Sequence, residues 1–144
     1  MDPIEVRRLR PDAMTPERAH PGDAGLDLCA VEDCEIGAGE RAAIATGLAV
    51  AIPQGFAGLV VPRSGLARRH GVTVANAPGL IDAGYRGELL VLLVDLSREP
   101  HRISAGDRVA QLVVVPVTTA PAVEVAELPP SDGRDDAGFG STGP

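Results

Sequence analysis

The sequence predicts an all-β chain of the jelly-roll kind, a barrel or sandwich of short strands, and three observations predict it. Seventeen glycines and thirteen prolines, about a fifth of the 144 residues, punctuate the chain at short intervals. The stretches between them are short apolar runs built mostly of Val, Leu, Ile and Ala. Few windows hold the i, i+3, i+4, i+7 spacing of an amphipathic helix for even three turns. Many short strands with frequent turn signals read as a sandwich or barrel.

In chain order, "IEVRRLR" (4–10) lies between Pro3 and Pro11, and "GLDLCA" (25–30) opens on Gly25. "RAAIATGLAVAI" (41–52) follows Gly39 and stops at Pro53, and "GLVVP" (58–62) runs from Gly58 to Pro62. "SGLARRHG" (64–71) is the stretch able to make a short helix. "GVTVAN" (71–76), "ELLVLLVDL" (88–96), "RVAQLVVVPV" (108–117) and "AVEVAEL" (122–128) complete the strand-like runs. These give one β-barrel domain over 1–128. From 129 to 144, "PPSDGRDDAGFGSTGP" is polar and rich in Gly and Asp, which predicts a flexible glycine-rich C-terminal arm.

Aromatic residues are scarce: Phe56, Tyr85 and Phe139. Phe56 follows a Pro-Gln-Gly turn and leads into "AGLVV", a core-edge position. Tyr85 sits in a Gly-flanked hairpin turn and Phe139 in the tail, and rings placed on turns rather than in a core suggest ligand stacking.

Composition excludes several functions. All thirteen basic residues are arginine and the net charge is −7. Without lysine there is no P-loop and no Schiff-base or lysine-nucleophile chemistry. An acidic chain without a basic stripe argues against binding polymeric nucleic acid, whose affinity comes from neutralising many phosphates. A small anion held by a few placed arginines remains open. Cys29, Cys34, His20, His70 and His101 show no zinc-ligand spacing, so the cysteines read as structural thiols. The longest apolar run, Leu89 to Val94, is far below the ~20 residues that span a bilayer, and "MDPIEVRRLR" lacks the apolar core of a secretory signal. The expectation is a soluble, cytoplasmic protein with no membrane partner.

Four segments combine glycine turns with polar residues beside apolar strands. "PGDAGLDL" (21–28) carries Asp23 and Asp27, and "PRSGLA" (62–67) carries Arg63 and Ser64 with backbone N–H groups suited to phosphate oxygens. "NAPGLIDAGYRGE" (76–88) carries Asn76, Asp82, Tyr85 and Arg86, and "GDRVAQL" (106–112) carries Asp107, Arg108 and Gln111. Any one alone reads equally as a turn former or a solvated strand end. The tail string "GFGSTG" (138–143) matches a dinucleotide-binding turn as text, but such a turn needs a helix after it, and with Pro144 next none is expected.

Together, in this order and spacing, the four segments and "GFGSTG" resemble the five motifs of the trimeric dUTPase family, the dUTP diphosphatases, from about residue 20 to the C-terminus. The resemblance implies a jelly-roll homotrimer with three interfacial active sites that hydrolyse dUTP to dUMP and pyrophosphate. Such an activity limits uracil incorporation into DNA and supplies dUMP for thymidylate synthesis. It implies Mg²⁺ as cofactor, bound through the triphosphate with no metal ligand from the protein.

Carried over by motif, Asp82 is the catalytic aspartate that activates the water attacking the α-phosphorus. Tyr85 lies under deoxyribose, where a 2′-hydroxyl would clash. Asn76 and the backbone around Gly79 read uracil. Arg63, Ser64, Gly65 and Gln111 contact phosphates and water, with Asp27 and Arg108 in supporting positions. By the same resemblance Phe139 would stack on uracil as the arm closes over a neighbouring subunit, while Arg134, Gly140, Ser141 and Thr142 would hold the γ-phosphate. Asp135, Asp136 and Ala137 depart from the small glycine-rich residues usual after that arginine.

Three other readings share part of the pattern. A dCTP deaminase shares the fold and similar "RS" and "RVAQL" features, but the hairpin tyrosine and the Phe-bearing arm favour the phosphohydrolase. A regulatory binding protein could keep the scaffold and use the trimer surface for a partner. A purely structural β-module leaves Tyr85 and Phe139 unexplained.

Overall fold

Strands form between the glycine and proline breaks, and the computed structural model describes residues 3–131. In chain order the elements are β1 (Glu5–Arg8), β2 (Leu26–Cys29), β3 (Cys34–Ile36), β4 (Arg41–Ala45) and β5 (Leu48–Ala51). Then come β6 (Phe56–Val61), α1 (Ser64–His70), β7 (Val72–Val74), β8 (Gly79–Ile81), β9 (Leu90–Asp95), β10 (His101–Ile103) and β11 (Arg108–Pro116). The strands pair antiparallel in sheets ordered β2-β11-β6-β8, β4-β9-β7, β1-β5 and β3-β10.

Their inner faces meet in one aliphatic core. Leu28, Val60 and Leu112 come from the four-stranded sheet, and Ile44, Val72, Val74, Val91 and Leu93 from the three-stranded one. Leu48, Val50, Ile36 and Ile103 join it from the two two-stranded sheets. Burying each such side chain contributes roughly 1.5–3 kcal/mol, so many small aliphatic groups replace the aromatics this chain lacks. Phe56 packs against the core as a partly buried ring, at the edge where it was expected.

β9 shows how one apolar run serves two faces. Val91 and Leu93 point into the core, while Leu90 and Leu92 stand 49% and 39% exposed on the opposite face. With Leu80, 62% exposed, they leave an apolar outer surface on the two sheets.

The helix forms where "SGLARRHG" allowed it. Gly71 ends it in the left-handed conformation at φ 68°, its N–H returning to Ala67 O, and Arg68, Arg69 and His70 sit in the last turn, where positive charge suits the helix dipole. Arg63 occupies the N-cap without a side-chain cap bond.

Besides the short strands β3 and β10, which no sequence run marks, three details differ from the sequence reading. The run 41–52 is two strands, because Gly47 turns the chain at φ 67° and sends β4 and β5 to different sheets. Residues 79–81 form β8 inside what reads as a single turn, since β6 supplies the hydrogen-bonding edge. "AVEVAEL" forms no strand: Val123, Val125 and Leu128 remain 74%, 54% and 85% exposed. Period-two alternation supplies the face of a strand, and among the described residues no neighbouring strand completes its ladder.

Candidate active site

Asp27 organises the arginines. It lies on β2, 8% exposed, with Gln111 directly across on β11. Arg108 Nη1 donates to Asp27 Oδ2 at 3.2 Å and Gln111 Nε2 donates to Oδ1 at 3.3 Å. Arg63 Nε lies 3.4 Å from Oδ1, and Arg63 Nη1 donates to the Arg108 carbonyl at 3.2 Å. The Arg63 guanidinium, unused as a helix cap, is therefore held between two strands.

A strand irregularity makes this convergence possible. Residues 108 and 111 of a regular strand face opposite sides of the sheet. Here the register shifts between Arg108 and Ala110, and Val109 and Ala110 are both buried in succession. The extra residue resets the alternation, so Arg108 and Gln111 reach one carboxylate. Beside this cluster Ser64, Gly65, Arg68 and Arg69 line a hollow of about 570 Å³. Arg69 lies back over Gly65, where an added Cβ would stand 2.9 Å from its Nη2. Cys29, next to the network and buried, has its thiol pushed up by burial and secondly by the Asp27 charge, which keeps it protonated as a structural thiol.

The second group lies around β8. Asn76 folds its amide over Gly79, where a Cβ would stand 3.3 Å from Nδ2 and 3.3 Å from Val60 Cβ, so a side chain at Gly79 would fill this approach. Asp82 follows β8 directly and is exposed. Tyr85 N–H donates to the Asp82 carbonyl at 3.0 Å, closing the turn, and the Tyr85 ring is 44% exposed. Leu80, Asp82, Tyr85, Glu88 and Leu92 border a groove of about 330 Å³.

Asp82 and Arg63 face different ends of the sheet. Gly58 pairs with Ile81 and Val60 with Gly79, so Asp82 follows at the start of β6 and Arg63 lies beyond its end. At ~3.3 Å per residue the separation of Asp82 from Arg63 is on the order of 15–20 Å. Asn76 and Gly79 lie toward the Arg63 end. Within one chain the structure joins Asp27, Arg63, Arg108 and Gln111, and separately Asp82 with Tyr85, but does not bring these two sets together.

Arg134, Phe139, Gly140, Ser141 and Thr142 lie outside the described residues, as do Asp135 and Asp136. Arg69, Gly87 and Glu88 also lie against these groups, although the sequence motifs do not mark them as site residues. Gly87 has a signal in the sequence, a glycine two positions after the hairpin tyrosine; a Cβ there would stand 2.5 Å from the Tyr85 hydroxyl. The places of Arg69 and Glu88 depend on contacts made only in the fold.

A carboxylate standing clear at a hairpin, and arginines fixed by a second, buried carboxylate, are the kinds of group that a hydrolase of a small anionic substrate uses. The sequence model of the dUTPase family matches residues 12–143. The chain belongs to the dUTPase family. A deoxyuridine 5'-triphosphate nucleotidohydrolase of Thermobifida fusca (strain YX) is 54% identical over 141 residues, covering 97% of this chain and 78% of the relative. Its namesake in Streptomyces avermitilis is 55% identical over 141 residues, covering 97% and 80%. Among solved structures, a mutant dUTPase of Staphylococcus bacteriophage 80alpha with dUpNHpp matches at TM-score 0.92 and 30% identity, covering 99% of both chains. A mutant dUTPase from phage phi11 of S. aureus, described with a structural Mg(II) ion, matches at TM-score 0.81 and 32% identity over 88% of this chain and 98% of its own. The all-β jelly-roll fold expected from the sequence is the fold of this family.

Proposed function

We propose that this dUTPase hydrolyses dUTP to dUMP and pyrophosphate at sites that the subunits of a homotrimer share. One observation carries the shared site: Asp82 and Arg63, both needed at one substrate, face opposite ends of β6 in the single chain. A nucleotide with uracil and sugar at the Asn76–Tyr85 hairpin of one subunit would lay its phosphates on Arg63, Ser64, Gly65 and Gln111 of another. The apolar outer face formed by Leu80, Leu90 and Leu92 supports a covering subunit there.

In this reading Asp82 accepts the proton of the attacking water, and the bond from the α-phosphorus to the bridging oxygen breaks as the new oxygen bond forms. The buried Asp27 orients Arg63 and Arg108 before substrate arrives, so little reorganisation accompanies phosphate binding. Arg134, Ser141 and Thr142 close on the γ-phosphate and Phe139 on the base, in keeping with the tail motif. Closure would exclude water and strengthen the contacts beneath.

Among the described residues no three His, Cys, Asp or Glu side chains group to hold a metal ion. Mg²⁺ would take its oxygens from the triphosphate and water, as this hard cation commonly does at nucleotide sites. When bound it would neutralise developing phosphate charge. No helix of the described residues is long and apolar enough to cross a membrane. A cytoplasmic setting belongs to the same proposal, supported by the free thiols Cys29 and Cys34, which suit a reducing compartment.

The test is pyrophosphate release from dUTP, UTP, dCTP and dTTP, each with and without Mg²⁺. Release from dUTP alone, dependent on Mg²⁺, is the expected result; ammonia release from dCTP would instead assign deaminase chemistry.

A further inference from the structure

Tyr85 is half-exposed at a hairpin, yet a series of contacts ties its ring to the body of the protein. Its hydroxyl donates to the Glu88 carbonyl at 2.9 Å. Gly87 lies against the ring, and an added Cβ would stand 2.5 Å from the hydroxyl oxygen and 2.7 Å from Cζ. Gly87 does not have a left-handed φ, so the absent side chain makes room for the ring rather than relieving the backbone.

Glu88 continues the series. Its Oε1 accepts the Gly47 N–H at 2.8 Å, a bond to a charged acceptor and hence roughly twice as strong as a neutral one. Gly47 is itself fixed, because at φ 67° an added Cβ would meet Ala13 Cβ at 2.8 Å, and its carbonyl accepts the Leu9 N–H at 2.7 Å. The next residue, Leu89, is buried and fastened at both backbone groups. Its N–H donates to Leu48 O at 2.8 Å and its carbonyl accepts Thr46 Oγ1 at 2.7 Å.

We propose that Gly87 and Glu88 are positioning residues for Tyr85, and that the Glu88 anchor on the β4–β5 turn sets how strongly the site rejects ribonucleotides. The proposal rests on the dUTPase reading, in which the ring lies under the sugar. A ring tied at its hydroxyl and seated in the space that Gly87 leaves does not yield to a 2′-hydroxyl. The peptide that carries this carbonyl is held by two ties, Leu89 N–H on Leu48 O and the Glu88 side chain on Gly47, so losing the Glu88 tie leaves it on one. The carbonyl then shifts, the ring swings among rotamers and UTP fits for part of the time. Loosening the clamp therefore raises UTP turnover more than it lowers dUTP turnover.

The experiment compares kcat/KM for dUTP and UTP in the full-length protein and in Glu88→Gln, Glu88→Ala and Gly87→Ala, together with tyrosine fluorescence anisotropy. Tyr85 is the only tyrosine and the chain has no tryptophan, so the emission reports this ring. Glu88→Gln keeps an oxygen acceptor for Gly47 and should hold the dUTP/UTP ratio within about threefold of the wild type, whereas Glu88→Ala should lower it by about tenfold or more, with a fall in anisotropy. Gly87→Ala should do the same while leaving the Gly47 contact intact, and decides the matter should Glu88→Ala not fold. An unchanged ratio and anisotropy in the alanine variants would overturn the proposal. If the wild type did not turn over dUTP, the site reading itself would fail, and the anisotropy would still show whether Glu88 and Gly87 hold the ring.

Discussion

Arg108 and Gln111 stand on one strand at positions that regular alternation would turn to opposite faces, yet both bond to Asp27, at 3.2 and 3.3 Å. The bulge between Arg108 and Ala110 makes this possible, and with Arg63 3.4 Å from Asp27 it brings residues of three sequence motifs to one carboxylate. Asp27→Asn keeps an oxygen acceptor but removes the charge that holds two guanidiniums. It should lower kcat/KM for dUTP about 10- to 100-fold, mainly through KM, by releasing Arg63 and Arg108 to other orientations. The loss of stability should be only about 1 kcal/mol, because the Arg108 side chain is 52% exposed and solvent screens the pair. Steady-state kinetics and urea unfolding check both parts; an unchanged KM would mean that Asp27 does not preorganise the arginines.

Asp82 is exposed and takes no hydrogen bond to its carboxylate from the described residues, which suits the general-base role proposed for it. Asp82→Asn should reduce kcat by ~10²- to 10⁴-fold, the usual loss of a general base, while a non-hydrolysable dUTP analogue still binds. Single-turnover kinetics with calorimetric titration separates the two effects. More than about a tenth of the wild-type kcat, a barrier change of only about 1.4 kcal/mol, would remove Asp82 from this role.

Asp95, fully buried at the end of β9, gives the fold an acid-sensitive point. Its Oδ1 accepts the Ser97 N–H at 2.7 Å. That backbone bond first, then the Ser97 side chain and the His101 charge, holds its carboxyl below the usual carboxylate range. The stability it confers is present above the unfolded pKa of about 3.9 and is lost as pH falls through the lower folded value. Urea midpoints measured from neutral pH to below pH ~4 should fall more steeply for the wild type than for Asp95→Asn, which does not titrate. Parallel curves would show that the Ser97 contact does not shift this group.

Much of the fold is legible because glycine and proline bound its strands: Pro3 and Pro11 around β1, Gly58 and Pro62 around most of β6, Gly71 before β7. The three-residue strands β3 and β10 are too short for periodicity to reveal, and pair only because the fold brings Ile36 to His101. "AVEVAEL" shows the reverse case, a strand-like pattern with no pairing partner among the described residues. Asp27, Arg63 and Gln111 are visible as motif residues, but their meeting is not. It depends on an antiparallel register between residues 84 positions apart and on a bulge with no local sequence signal. Glu88 is hidden for the same reason, since its partner Gly47 lies 41 positions earlier.

The division of the site between subunits is tested most directly by mixing two inactive chains. Asp82→Asn retains Arg63, and Arg63→Ala retains Asp82, so only a site built across two chains can contain both wild-type groups. Each variant alone should be nearly inactive toward dUTP, and unfolding then refolding them together should restore a substantial fraction of wild-type pyrophosphate release. Activity that stays at the level of the separate variants, in mixed trimers verified by mass, would contradict a shared site and place Asp82 and Arg63 at one substrate within a single chain.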